Sequence, residues 1–340
     1  MAAAVAVPGL LTGLAEGCFG SDVGVCSPQM INHDGALTPQ TAPVAVIIPA
    51  WRSDAVLGDA LKSVAQQTLL PAEVVVVDDG SPTSPSVAGD WGVPVRLIRA
   101  EHGGPSRARN LGVAETTAPW LAFLDADDTW EPDKLRRQWQ AAESAPAGLA
   151  MVSCEWLRPG EPLRPGAGGV ILHRHGEREI LWRNAFQTST ALVTRAAFTA
   201  AGGFNPDLDG AEDWDMWLRT AAVGTWGHVR EPLVRYLDNP AGVSKDLMRV
   251  YRNGRIMLER YLRGEGDQRI AAAVRLRHLV WHDLRFGWAF DRIGERAAAR
   301  ECYAAAWQPG RRALAAEVAA TRLAPFVAGR LLRRVRRASA

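Results

Sequence analysis

Cysteine is scarce in this sequence, with 4 in 340 residues, at Cys18, Cys26, Cys154 and Cys302. No C-x-x-C pair occurs and the spacings match no zinc module, which excludes a zinc-finger or zinc-ribbon organisation. So few cysteines in a chain this long make no disulfide framework, and a reducing, cytoplasmic setting is the expectation. Net charge is equally sparse. The 39 basic and 37 acidic side chains leave a formal charge of +2, so no global basic field argues for nucleic acid, which is set aside as a partner. No run approaches the roughly 20 apolar residues of a membrane span. The first forty residues contain neither Lys nor Arg and so lack the positive start of a secretory signal. Being rich in Ala, Val and Gly, residues 1–42 read as a disordered leader.

What is present is the makeup of a globular protein, 47% hydrophobic and 22% charged, able to bury a sizeable core. Val44 to Ile48 is a continuous β-branched run, the mark of a fully buried strand. Leu57, Leu61, Val64 and Ala65 then recur at helical spacing. Glu73 to Val77 and Val93 to Ile98 read as further strands, and Trp120 to Leu124 as a fourth. A helix opened by Pro105 and Ser106 lies before the fourth strand, and another follows Pro132. Pro159 to Gly169 reads as a loop, a strand is expected near 189–194, and a helix carries Glu212 to Trp217. From Lys245 the chain is helical, over about 246–264, 268–290 and 292–306. The order predicts an α/β fold with an open, doubly wound sheet.

Two of the buried strands run straight into acid, at Asp78-Asp79-Gly80-Ser81 and at Asp125-Ala126-Asp127-Asp128. Open α/β sheets bind ligands at the carboxyl ends of their strands. Carboxylates two residues apart bring hard oxygen ligands to one divalent cation, of the kind that Mg²⁺ or Mn²⁺ shares with substrate phosphates. The plainer alternative is a solvated turn capping the next helix. Asp79 fits a carboxylate accepting from a nucleobase or ribose, or one that caps its own turn. Glu212 and Asp213 open an apolar, Trp-rich helix. Desolvation there suits a general base, while a first-turn acid complementing the helix dipole is the structural reading. Trp214 and Trp217 fit a core role better than an acceptor-stacking wall, and His228 beside Trp226 reads as packing.

Taken together, these blocks resemble glycosyltransferase family 2. The likeness runs through Val44-Ala45-Val46-Ile47-Ile48-Pro49-Ala50-Trp51, Asp78-Asp79-Gly80-Ser81, Gly103-Gly104-Pro105-Ser106-Arg107-Ala108-Arg109-Asn110-Leu111-Gly112 and Leu124-Asp125-Ala126-Asp127-Asp128-Thr129-Trp130. It continues in Gly202-Gly203-Phe204-Asn205-Pro206 and Glu212-Asp213-Trp214-Asp215-Met216-Trp217 and covers about residues 43–245. The resemblance implies a GT-A fold, a doubly wound Rossmann-like mixed sheet with a C-terminal α-helical extension. It implies inverting transfer from a nucleotide-diphosphate sugar, with a UDP-sugar favoured, to the hydroxyl of a glycan or lipid-linked acceptor in envelope or polysaccharide synthesis. Pro49, Ala50 and Asp79 would then hold the nucleoside, with Arg109 and Asn110 beside it. Asp125 would face the ribose and metal region, Asp127 would ligate Mg²⁺ or Mn²⁺, and Asp213 would be the base.

Two stretches depart from the family pattern. Trp51-Arg52 stand where many relatives have Tyr-Asn, and Tyr236-Leu237-Asp238-Asn239 stands where they often have Tyr-Arg-x-His, so the histidine that would supply a second metal or diphosphate ligand there is missing. The expected domains are a leader at 1–42, the GT-A domain at 43–245 and a helical extension with a basic tail at 246–340. From Trp307 to Ala340 eight arginines stand against the single acid Glu317. Such a tail fits peripheral contact with the inner face of an anionic membrane, or a solvated terminus. Two other functions compete, a nucleotidyltransferase and an inactive nucleotide- or carbohydrate-binding scaffold. Pro49-Ala50-Trp51-Arg52 is not the Gly-rich phosphate loop that the first would carry.

Overall fold

The computed structural model describes residues 41–323, apart from 159, 163–167, 174–180, 182–183, 185–186, 238–241, 243–244 and 266–269. Residues 1–40 of the expected leader, residues 324–340 of the basic tail, Cys18, Cys26 and much of the loop expected at 159–169 lie outside the described residues. Thr41 and Ala42, expected in the leader, instead begin the first strand, because they pair with Leu70 and Pro71.

Strand β1 (Thr41–Ala50) carries Val44 to Ile48 with no solvent exposure at all, so both of its faces are covered. That is why the sequence shows a continuous apolar run rather than alternation. It pairs in parallel with β2 (Leu70–Asp79) on one side and with β4 (Trp120–Phe123) on the other, and β2 pairs in parallel with β3 (Val95–Ala100). Between these strands run α1 (Leu57–Ala65) and α2 (Pro105–Ala114). The chain therefore builds outward from β1 to β3 and returns to β4 on the far side of β1. That reversal creates a crevice at the strands' carboxyl ends.

Beyond β4 the sheet becomes mixed. Its order is β3-β2-β1-β4-β8-β6-β9-β5, with β5 (Thr129–Trp130), β6 (Leu149–Leu157), β8 (Leu192–Thr194) and β9 (Thr225–Arg235), while β7 (Val170–His173) pairs with β9 off that path. The mixed, doubly wound sheet is as the sequence predicts. Strands β6 and β9 escape a reading by pattern. Pro232 and Gly227 interrupt β9, and its register against β6 shifts where Glu155 faces Pro232. The strand expected at 189–194 is shorter, because Thr188–Thr190 forms a 3₁₀ turn before β8.

Successive residues of β1 face opposite layers. Ala45 and Ile47 pack with Val75, Val77, Phe123, Phe204 and Trp217. Val46 and Ile48 pack with Leu57, Leu61, Val64 and Leu135, the last from α3 (Lys134–Glu143). The first layer is closed by α2, α4 (Arg195–Ala201) and α5 (Glu212–Val223). Helices α6 (Leu247–Arg260) and α7 (Ala272–Ile293) then extend that core, since Met257, Leu258 and Leu279 belong to the same apolar cluster. Trp214 of α5 meets His282 of α7 with ring centres 5.8 Å apart. The apolar core thus runs on across the expected boundary at 245/246. Helices α8 (Arg296–Ala306) and α9 (Arg312–Val318) complete the helical layer.

Helix α2 can lie close on the sheet because Gly112 faces it. A Cβ there would stand 2.6 Å from Ile47 Cγ2 and 3.2 Å from Val77 Cγ2. Gly112→Ala should improve helix propensity by about 1 kcal/mol, but overpacking of this kind costs about 1–3 kcal/mol. A net loss of stability is expected in urea unfolding, and a variant more stable than the parent would refute the close-contact account.

Candidate active site

The carboxyl ends of β1, β2 and β4 open into a cleft of about 660 Å³. Pro49, Ala50, Asp79, Arg109, Asp125, Asp127 and Asp213 all line it. Seven of the eight residues singled out from the sequence therefore converge. The eighth, Asn110, does not line the cleft. Its side chain donates to the Phe204 carbonyl at 2.8 Å and accepts from the Phe204 amide at 2.9 Å, clamping α2 to the turn before α5.

The two acids that end β2 have different duties. Asp78 is fully buried and accepts from the Ser81 amide and the Ser84 hydroxyl, both at 2.9 Å. Burial alone would raise its carboxyl, but these bonds and Arg99 outweigh it and leave it below the ordinary range. Asp79 reaches the cleft, where its carboxylate accepts from the amides of Gly103 at 2.8 Å and Gly104 at 2.9 Å and lies 2.8 Å from His102 Nδ1. Gly80, at φ +74°, lets the two segments meet, because a Cβ would stand 2.6 Å from the His102 amide nitrogen. Trp51 stacks on His102 at 4.9 Å, and the Arg52 guanidinium lies over the Trp51 ring at 4.6 Å. Arg52 itself has φ +51°, and its amide donates to Ser81 Oγ at 2.9 Å.

Arg109 joins the two halves of the site. It is 4% exposed, bonds Asp125 at 2.6 Å through Nη2 and Glu212 at 3.3 Å through Nη1, and lies over the Phe204 ring at 5.2 Å. Burial would lower its affinity for the proton, but the Asp125 and Glu212 charges hold it above its ordinary value. Glu212 also accepts from the Gly210 amide at 2.7 Å.

The loop holding Asp125 and Asp127 is fastened from below. Asp128, 1% exposed, accepts from Ser189 Oγ at 2.5 Å and from the Leu237 amide at 2.9 Å, and Ser189 Oγ accepts from the Asp125 amide at 3.1 Å. Burial, reinforced by the Asp125 charge, pushes the Asp128 carboxyl well above the ordinary range.

Asp213, in the first turn of α5, accepts from Asn184 Nδ2 at 2.6 Å. Burial, then the neighbouring Glu212 charge, pushes its carboxyl up to about 7, against the lowering effects of Asn184, the Trp214 amide and Arg109. Asn184 carries no motif, and nothing in its local sequence points to this contact. Trp214 and Trp217 are core residues, and His228 bonds Ser153 at 2.9 Å beside Trp226, as expected for packing.

Residues 45–199 match the family model described as "Glycosyl transferase family 2". Over this stretch the chain is similar to family 2 glycosyltransferases. An "Uncharacterized glycosyltransferase" of Haemophilus influenzae is 28% identical over 186 residues, covering 52% of this chain and 61% of that protein. The "Succinoglycan biosynthesis protein ExoO" of Rhizobium meliloti is 39% identical over 111 residues, 32% of either chain. The chain thus spans less than two thirds of these curated relatives. Among solved structures, Staphylococcus aureus TarS 1-349 in complex with UDP-GlcNAc aligns with a TM-score of 0.57 at 16% identity, covering 77% of this chain and 81% of that one. The Pyrobaculum calidifontis mannosyltransferase PcManGT, in complex with GDP-Man and Mn2+, aligns at 0.53 and 20% identity, covering 88% and 85%. These alignments show the GT-A type of fold, with helices following the sheet.

Asp79, Asp125, Asp127, Asp209, Glu212, Asp213 and Asp246 stand around the cleft against Arg52, Arg109 and Arg249. Arg109 is already committed to two carboxylates. A diphosphate entering here meets an acidic field, which a divalent cation would offset. No group of three or more His, Cys, Asp or Glu side chains converges as a protein-only metal cage among the described residues. The donor set instead suits a hard cation that takes one or two carboxylates and completes its shell with substrate oxygens. Where relatives have the Tyr-Arg-x-His pattern, Tyr236 and Leu237 line the wall, and Asp238 and Asn239 lie outside the described residues.

Removing the Arg109 guanidinium strands two carboxylates in a largely buried setting, a change that costs about 3–5 kcal/mol. Arg109→Ala should lower the denaturation midpoint accordingly, and Arg109→Lys should recover only part of the loss, since one ammonium does not reproduce the fork. Unchanged unfolding of Arg109→Ala would show the bridge to be idle.

Proposed function

We propose that the protein is an inverting, metal-dependent glycosyltransferase moving a sugar from a nucleotide-diphosphate donor, a UDP-sugar in the first instance, to an acceptor hydroxyl in polysaccharide or cell-envelope glycan synthesis. The observation that carries this reading is the convergence of the strand-end acids Asp79, Asp125 and Asp127 with Asp213 in one cleft. Relatives named for succinoglycan biosynthesis support the polysaccharide setting. The structural neighbours bound to UDP-GlcNAc and to GDP-Man support a nucleotide-sugar donor.

Pro49, Ala50 and Asp79 form the nucleoside end. Asp127 would hold Mg²⁺ or Mn²⁺, with Asp125 beside it kept in place by Arg109. The cation, when bound, supplies Lewis-acid compensation for charge on the departing diphosphate. Asp213 takes the proton of the acceptor hydroxyl as its oxygen bonds to the anomeric carbon and the bond from that carbon to the diphosphate oxygen breaks. Attack opposite the leaving group inverts the centre, as in inverting glycosidases. The products are a glycoside and a nucleoside diphosphate. No helix among the described residues is long and apolar enough to cross a membrane, and peripheral contact would fall to the tail beyond residue 323.

The deciding assay is release of nucleoside diphosphate from a panel of donor sugars with Mn²⁺, Mg²⁺ or chelator. Chelator-sensitive release, abolished in Asp127→Ala and reduced about 10²–10⁴-fold in Asp213→Asn, is expected. Metal-independent release, or release of pyrophosphate instead, sinks the proposal, the latter in favour of nucleotidyl transfer.

Acid dependence gives a second check. Asp213 works only as carboxylate, so the rate should fall about tenfold per pH unit below about 7 and level off above it. Asn184→Ala withdraws a hydrogen bond from the ionised form and should move that limb to higher pH. A limb that stays in place in Asn184→Ala would disconnect the two residues.

A further inference from the structure

The helical extension beyond residue 245 contributes to the cleft itself. Asp246, which caps α6, and Arg249 in its first turn both line it, together with Asp209 and Gly210 from the turn that leads into Asp213. Arg249 Nη1 donates to Asp209 Oδ2 at 2.9 Å, and Arg249 Nε lies 3.4 Å from Asp246 Oδ2. Asn253, one turn further on, donates to the Asp209 carbonyl at 2.7 Å. Helix α6 is thereby fastened to the segment just ahead of the base, whereas the nucleoside end is built by β1 and β2.

We propose that Arg249, held between Asp209 and Asp246, is the acceptor-recognition element, and that it selects an uncharged sugar rather than a phosphorylated one. The inference rests on the transferase reading and adds the acceptor's chemical class. The three side chains stay 46%, 40% and 51% exposed, so they remain open to a ligand. A sugar hydroxyl both donates and accepts. Neighbouring hydroxyls can therefore donate hydrogen bonds to the two carboxylates and accept one from the guanidinium. A phosphate has only acceptors at neutral pH and would face Asp209, Asp246 and Asp213 with one shared arginine. Such like-charge juxtaposition discriminates against a ligand as effectively as good contacts favour another.

The test uses the full chain, a donor established by nucleoside diphosphate release, and p-nitrophenyl glycosides of glucose, galactose, mannose and N-acetylglucosamine beside glucose 6-phosphate. At least one neutral glycoside should accelerate release. Arg249→Ala and Asp246→Asn should then raise its KM about 10- to 100-fold, as loss of charge-assisted hydrogen bonds does, with a smaller change in kcat. Asn253→Ala loosens the brace without altering the cleft wall and should leave that KM within about twofold, below the loss of one net hydrogen bond. The proposal is overturned if Arg249→Ala leaves KM unchanged, if Asn253→Ala raises it equally, or if no neutral glycoside is used. It also falls if glucose 6-phosphate is preferred. Saturation-transfer NMR with the same glycosides reads binding without turnover. Should no donor react at all, the transferase reading fails, while a glycoside signal lost in Arg249→Ala still supports the subsite and its absence in the parent refutes it.

Discussion

Arg109 is the constraint on which the site depends. Its guanidinium is almost wholly buried and ties Asp125, 16 residues away at the end of β4, to Glu212, 103 residues away at the start of α5. Taking such a charge out of water is costly unless partners meet it, and a single carboxylate would leave part of the fork unpaired. Two carboxylates and the face of Phe204 meet it here. The bridge thus joins a strand end that faces the cleft to the helix that carries Asp213. Asp213 lies one residue past Glu212, so its position is set largely by where Arg109 holds that neighbour.

Asp128 and Asp78 extend the same logic. Each is buried, each accepts hydrogen bonds from its own or a neighbouring loop, and each lies next to an acid that faces the cleft. One carboxylate of each cluster is spent on shaping the loop so that another can face a ligand. The acid-rich character of the cleft is therefore partly architectural. What remains exposed would set an anionic ligand in an acidic field that accompanying positive charge would offset.

The legible part of this protein was local. Continuous β-branched runs ending in Asp reveal both the buried strands and the acids at their ends, because burial on two faces leaves a pattern in consecutive residues. The open α/β sheet and the helical extension followed from the same periodicities, whereas the mixed character of the sheet came only with the family resemblance. What escaped was set by contacts between distant segments. Strand β9 carries Pro232 within it, and its pairing with β6 absorbs the proline through a register shift that no local pattern announces. Asn110 lies within a block that the family resemblance sets beside the nucleotide, yet its amide matches the backbone of Phe204, 94 residues on. Asn184 and Arg249 have no motif at all. Their roles arise only when the chain brings them to Asp213 and Asp209.

The left-handed backbone of Arg52 bears on how this protein can be altered. A non-glycine residue at φ +51° stores on the order of 1–3 kcal/mol of strain, kept here by the bond from its amide to Ser81 and by its guanidinium over Trp51. Glycine at this position would relax the backbone and remove the cation from the mouth of the cleft in one step. Selection for heat resistance alone would favour that exchange, at the loss of one of the three arginines that line the cleft. Position 52 is thus where backbone ease and the charge balance of the cleft pull apart, and an exchange made for one changes the other.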